Sequence, residues 1–138
     1  MWRTARLTVL GLMAGAALGA LGGELASAQQ SLIKRTDLLK SAIAEINGGE
    51  MNVWVADLAP GAATGRHTHP TPRFVYVIEG AVVLELDGRP PQTFKAGQAF
   101  AEMPGVAHNF RNASASEPAK ALGFQYAAKG QALQANAP

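Results

Sequence analysis

From Met51 onward the chain alternates short apolar runs with turn residues, the pattern of strands rather than helices. The runs are Met51–Leu58, Phe74–Glu79, Ala81–Leu86, Gln98–Met103, Ala107–Arg111 and Ala119–Tyr126. Between them lie Ala59-Pro60-Gly61, Glu79-Gly80, Asp87-Gly88-Arg89-Pro90-Pro91, Ala96-Gly97 and Pro104-Gly105. Asp87-Gly88 predicts a hairpin whose two turn positions take positive φ. Many short strands at this spacing predict an all-β sandwich or barrel, and closing the sheet removes the unpaired edges that invite aggregation. No internal repeat is present, so residues 51–127 form one such unit. The aromatic residues Trp54, Phe74, Tyr76, Phe94, Phe100, Phe110 and Phe124 fall in or beside these runs and are expected mainly in the core, with Phe100 and Phe110 the candidates to line a pocket.

The flanks read differently. In residues 29–50, Leu38, Leu39, Ala42, Ile43 and Ile46 suit one face of a short helix, while Ile33-Lys34-Arg35-Thr36 suits a strand equally well. Residues 128–138 are polar and rich in Ala and Gln, and are expected to fray. Residues 1–28 have the layout of a secretory signal peptide. Arg3 and Arg6 precede an uncharged stretch from Leu7 to Leu21, and Ala26-Ser27-Ala28 supplies a small-x-small cleavage site. The apolar stretch is shorter than the ~20 residues that span a bilayer as a helix. The expectation is therefore an exported, periplasmic protein that begins at Gln29 and keeps no stable membrane insertion.

Composition narrows the chemistry. The chain has 138 residues, 48% of them hydrophobic, which suits a single globular domain. With no cysteine, it can have neither disulfides, nor a thiolate metal site, nor a Cys nucleophile. Its 12 Lys and Arg against 10 Asp and Glu are scattered, which argues against nucleic acid as a partner. The three histidines are the chemically pointed residues. His67 and His69 stand two apart, a spacing that turns both imidazoles to one face of a strand. His108 lies in another predicted strand. Three convergent imidazoles suit a divalent transition ion such as Fe, Zn, Ni, Mn or Cu. The plainer alternative is two loop histidines beside Pro70 and an unrelated core histidine.

The stretch from Gly61 to His69 resembles the start of the first motif of the cupin superfamily, Gly-x5-His-x-His, whose closing Gly falls at Gly80. The segment from Gly97 through Met103-Pro104-Gly105 and His108 to Asn112 is similar to the second motif, with Met103 where the family has Pro. The resemblance implies a small double-stranded β-helix, or jelly-roll, with a site in its mouth. It also implies one divalent metal bound by His67, His69 and His108, and a homodimer. The family's fourth ligand is a Glu at the position held here by Arg73. Arg73 shares odd parity with His67 and His69 and should face the same interior. A guanidinium stays protonated and has no lone pair for a metal. The favoured expectation is a three-histidine site, with Glu102 as the leading substitute carboxylate and Glu79 a weaker one. Arg73 would then act on substrate by gripping an anion. The even alternative is that it only closes the mouth through an ion pair to Glu79, Glu85 or Glu102.

Two classes of function follow from that resemblance. One is a metal-dependent oxidoreductase (dioxygenase-like), isomerase or lyase acting on a small anionic or oxygen-rich molecule. The other is a non-catalytic ligand-binding or accessory protein with a metal-free cationic pocket. Ser114 and Ser116 offer no nucleophile, because no unassigned histidine remains to serve as base.

Overall fold

The structure, a computed structural model, describes residues 27–44, 46 and 48–138. Most of the predicted signal segment, residues 1–26, lies outside the described residues. After a short helical turn at residues 27–31, ten strands follow in chain order. They are β1 (Ile33–Ile43), β2 (Gly49–Leu58), β3 (His67–Thr68), β4 (Arg73–Glu79) and β5 (Ala81–Leu86), then β6 (Gln92–Lys95), β7 (Ala99–Glu102), β8 (His108–Asn112), β9 (Ala119–Ala128) and β10 (Ala135–Asn136). They form two antiparallel five-stranded sheets, ordered β1-β2-β9-β4-β7 and β10-β3-β8-β5-β6. This is the expected all-β jelly-roll.

The ambiguous segment 33–43 is a strand. It pairs along β2 from Ile33 opposite Leu58 to Ile43 opposite Gly49, with an irregularity between Asp37 and Leu39. Its apolar side chains lacked a helix's partner surface, and the long β2 edge offered a complete ladder instead. The Asp87-Gly88 hairpin exists, but its turn differs from the expected one. Gly88 has φ of 68° and Asp87 is not at positive φ, because Arg89-Pro90-Pro91 lengthens the loop between β5 and β6. The segment after Ala128, expected to fray, pairs through β10 with β3, where Ala135 faces Thr68 and Asn136 faces His67.

The core lies between the sheets. Trp54, Leu58, Val75, Val77, Val82 and Phe110 are buried there, with Phe94 and Phe100 packed against them. Strand alternation puts the neighbours of these residues outside. Phe74, Tyr76 and Ile78 are accordingly 53%, 42% and 42% exposed, not core as expected for the two aromatics. Register places Val53, Phe124 and Phe74 in one row, and Val55, Leu122 and Tyr76 in the next. The outer face of the first sheet is therefore broadly apolar.

Asn112 stitches the loops beneath the barrel. Its buried amide donates to the carbonyls of Leu58, Ala59 and Glu117, and its Oδ1 accepts the Ser114 N–H at 2.9 Å. That is the turn-bonding role its sequence position suggested.

Candidate metal centre

The site forms where a polar row of one sheet meets the imidazoles of the other. In the first sheet, β4 places Arg73 directly opposite Glu102 on β7 and opposite Gln125 on β9. Asn52 on β2 continues the row beyond Gln125. All four side chains point inward and are buried. In the second sheet, His67 on β3 is the direct cross-strand neighbour of His108 on β8. His69 follows β3, and its carbonyl accepts the Gly105 N–H at 3.0 Å, which ties it to the loop before β8.

Arg73 faces the interior as expected, but not along one strand with the histidines. The Pro70-Thr71-Pro72 segment carries the chain from β3 in the second sheet to β4 in the first. The prolines interrupt strand pairing there, so the parity argument reached the right face by a wrong path.

His67, His69, Glu102 and His108 converge, with one potential ligand atom of each lying within 4.8 Å of all the others. The three rings pack with centroids 4.4 to 4.9 Å apart. Each imidazole donates Nδ1–H to a backbone carbonyl: His67 to Gly65 at 2.8 Å, His69 to Leu133 at 2.9 Å and His108 to Val106 at 2.8 Å. That leaves the three Nε2 atoms turned toward one another and toward Glu102. Among the described residues, His67 Nε2 and His108 Nε2 are buried with no hydrogen-bond partner, although His108 Nε2 stands 3.5 Å from Glu102 Oε1. His69 Nε2 lies 3.0 Å from Glu102 Oε2, so this ring faces an acceptor on both sides. A neutral imidazole has only one N–H and cannot serve both.

Buried lone pairs without partners are costly. A divalent ion among the four residues satisfies them together, taking two orphaned nitrogens, the third imidazole and one carboxylate charge. The donor set fits a transition metal. The three expected histidines come together, Glu102 of the two substitute carboxylates joins them, and Glu79 lies out on the exposed end of β4.

Arg73 sits beside this set, its Nε 3.8 Å from Glu102 Oε2 and donating to Gln125 Oε1 at 3.0 Å. Of its other expected partners, Glu85 is paired instead with Arg111 at 2.6 Å and Asn109 at 2.9 Å. Above Arg73 opens a cavity of about 330 Å³, whose walls include Arg35, Trp54, Phe110, Gln134 and Asn136. A second, water-sized space of about 30 Å³ reaches Glu102. Trp54, Ala56, Arg73 and Phe110 line both spaces and form the wall between them. Phe110 lines the cavity, whereas Phe100, expected there too, stacks on Phe94 with centroids 4.3 Å apart. The Arg35 and Arg73 guanidinium carbons lie 4.0 and 4.9 Å from the Trp54 ring centroid. Sequence reading missed Arg35, Gln125, Leu133 and Gln134. Arg35 sat in the ambiguous segment and Leu133 and Gln134 in the polar tail, while Gln125 is an inward polar residue within an apolar run.

Burial lowers the pKa of His67 from 6.5 to about 4, and the neighbouring rings of His108 and His69 add to the effect. Burial opposes the charged form of His108 as well, but the Glu102 carboxylate outweighs it and the pKa is raised. For Glu102, burial alone would raise the pKa. The His108 and His69 rings and the Arg73 guanidinium bring it down to about 2. Burial lowers Arg73 to about 10, which leaves it charged at neutral pH.

These shifts set the acid response of the metal-free protein. His108, its pKa raised, stabilises the fold below pH 6.5, and that contribution fades as pH rises through its folded value. From pH 6.5 down to 4 the unfolded chain takes up a proton that folded His67 refuses, so stability falls. Glu102 adds a second loss between pH 4.5 and 2. The urea midpoint of chelator-treated protein should therefore peak near pH 6.5 and decline on the acid side. His67→Gln should flatten the step between pH 6.5 and 4, and a wild-type midpoint constant down to pH 4 would contradict the assignment.

The comparisons agree with the fold. The family model described as "Cupin domain" matches residues 54–124. The chain is 39% identical over 75 residues to the beta-alanine degradation protein BauB of Pseudomonas aeruginosa, covering 53% of this chain and 79% of that one. Its fold is similar to a cupin 2 domain-containing protein from Halorhodospira halophila, with TM-score 0.63, 18% identity, and 79% and 72% of the two chains covered. It is also similar to a cupin-like protein from Thermotoga maritima, with TM-score 0.56, 21% identity, and 72% and 77% covered. With both sheets, the histidine spacing and the family match in agreement, the chain belongs to the cupin family.

Proposed function

We propose that this cupin is a metal-dependent enzyme acting on a small anionic, oxygen-bearing molecule. The observation that carries this reading is the buried convergence of three imidazoles and one carboxylate beside a charged arginine. His67, His69, Glu102 and His108 would hold one divalent transition ion, which supplies Lewis acidity toward a substrate oxygen. Glu102 neutralises one of its two charges. Arg73 then no longer has Glu102 to itself, and its guanidinium faces the cavity with a net attraction for an anion. A carboxylate held there by two parallel N–H donors is oriented before reaction. Trp54 and Phe110 exclude water from the same wall. BauB's name connects it with degradation of beta-alanine, itself a small carboxylate, which supports this substrate class. Oxygenase and isomerase or lyase chemistry both suit such a site, and the choice follows the ion.

The competing reading, a binding protein with a metal-free cationic pocket, is weakened by Glu102, which already supplies the pocket with a buried negative charge. We also propose that residues 1–28 direct export, on the composition of that segment, and that two copies pair through the outer face of the β1-β2-β9-β4-β7 sheet. Pairing is supported by the exposed Phe74, Tyr76 and Ile78. Beside them, Lys120 faces both Asp57 and Glu79 across the strands, so the face carries charges of both signs at one end. A two-fold contact needs such a self-complementary patch.

Elemental analysis of protein purified without a histidine tag tests the metal reading. It should show about one transition ion per chain, lost in the His67→Ala, His69→Ala double variant. Wild-type protein of normal stability with no metal would favour the binding protein. Light scattering should give twice the chain mass for wild type and a monomer for Phe74→Glu. A monomeric wild type would refute pairing through this face.

A further inference from the structure

We infer that the segment Gln131–Pro138 is a strap that positions His69 for metal ligation and closes the mouth of the cavity, an inference that rests on the metal-binding reading above. The three imidazoles are not held alike. His67 and His108 donate Nδ1–H to carbonyls two residues earlier in their own chain, Gly65 and Val106, so local backbone fixes those rings. His69 donates to Leu133, 64 residues away. Its Nε2 points at Glu102 only while the strap is in place.

The strap's contacts concentrate on the site. The Leu133 carbonyl also accepts Gln125 Nε2–H at 2.9 Å, and Gln125 in turn orients Arg73. The Leu133 side chain packs on the core. Gln134 Oε1 lies 3.5 Å from Arg73 Nη2, and Gln134 and Asn136 form part of the cavity wall. Beyond them, β10 pairs with the strand that carries His67, Ala137 N–H donates to the Arg66 carbonyl at 3.0 Å, and Arg66 donates to the Pro138 carbonyl. The strap enters through a turn in which Gln131 N–H donates to the Ala128 carbonyl and Gly130 takes φ of 77°.

The four ligands are at most 2% exposed, so an ion or substrate reaches them only after something moves. A two-residue strand with exposed side chains is the cheapest element to lift, since local opening follows the number of buried contacts. A strap that favours the metal-ready ring is favoured by the metal in return.

A chain ending at Gln131 tests this, compared with the full chain in two measurements. In metal-free protein, the downfield imidazole N–H proton signals should number three in the full chain. The shortened chain should lose the His69 signal to solvent exchange and keep those of His67 and His108. Zinc affinity, by competition with a chromophoric chelator, should fall about 10- to 100-fold, the usual effect of removing a ligand's supporting hydrogen bond. A folded shortened chain that keeps all three signals and its zinc affinity overturns the inference. If the shortened chain does not fold, Leu133→Asp in the full chain, which expels the strap from its core contact and with it the Leu133 carbonyl from His69, decides. Faster exchange at His69 alone supports the strap, and unchanged exchange overturns it. The proton readout needs no metal, so failure of the full chain to bind zinc would refute the metal reading and leave the strap standing.

Discussion

A carboxylate buried at the centre of a small barrel has to be matched by positive charge, and Glu102 is that carboxylate. It is 2% exposed, yet its pKa is held at about 2, so it remains an anion at neutral pH. An unpaired charge in that position would cost several kcal/mol. Arg73 stands across the strand from it but at 3.8 Å, with its Nε committed to Gln125. The remaining attraction comes from the imidazole cage, two of whose nitrogens have no partner of their own. Glu102, whose nearest guanidinium nitrogen stands 3.8 Å away, and His67, whose Nε2 has no partner, are complementary deficits around one point. A divalent ion removes both.

The register of one strand pair keeps a carboxylate beside the three histidines although residue 73 is an arginine. Residue 73 is Arg, but its direct neighbour across β4 and β7 is Glu102, so the carboxylate has moved one strand sideways while facing the same interior. The exchange also puts a cation where the family has a ligand. The pocket above the site is thereby lined with Arg73 and Arg35, each against the Trp54 ring.

Much of this was legible from residue order because it rests on local rules. Period-two alternation located β2, β4, β5, β7, β8 and β9, and the spacing of His67, His69 and His108 located the cluster. Glu102 was singled out as the leading substitute carboxylate and does lie in the cluster, although a three-histidine site was preferred to it. What escaped notice depends on long-range pairing. β10 is two residues long, too short for any periodic signal, and exists because it pairs with β3. Phe74 and Tyr76 read as core, since apolar side chains on a sheet's outer face look the same in sequence as those on its inner face. The role of Leu133 belongs to its backbone carbonyl, which no side-chain pattern reports.

The central claim is that Glu102, and not a bare trio of histidines, completes the metal site. Crystals of the protein loaded with zinc, measured at energies on either side of the zinc absorption edge, test it most directly. The account predicts one anomalous peak at bonding distance from the Nε2 atoms of His67, His69 and His108 and from a carboxylate oxygen of Glu102. A peak bound by the histidines with Glu102 turned away toward Arg73, or no peak among these residues, would contradict it.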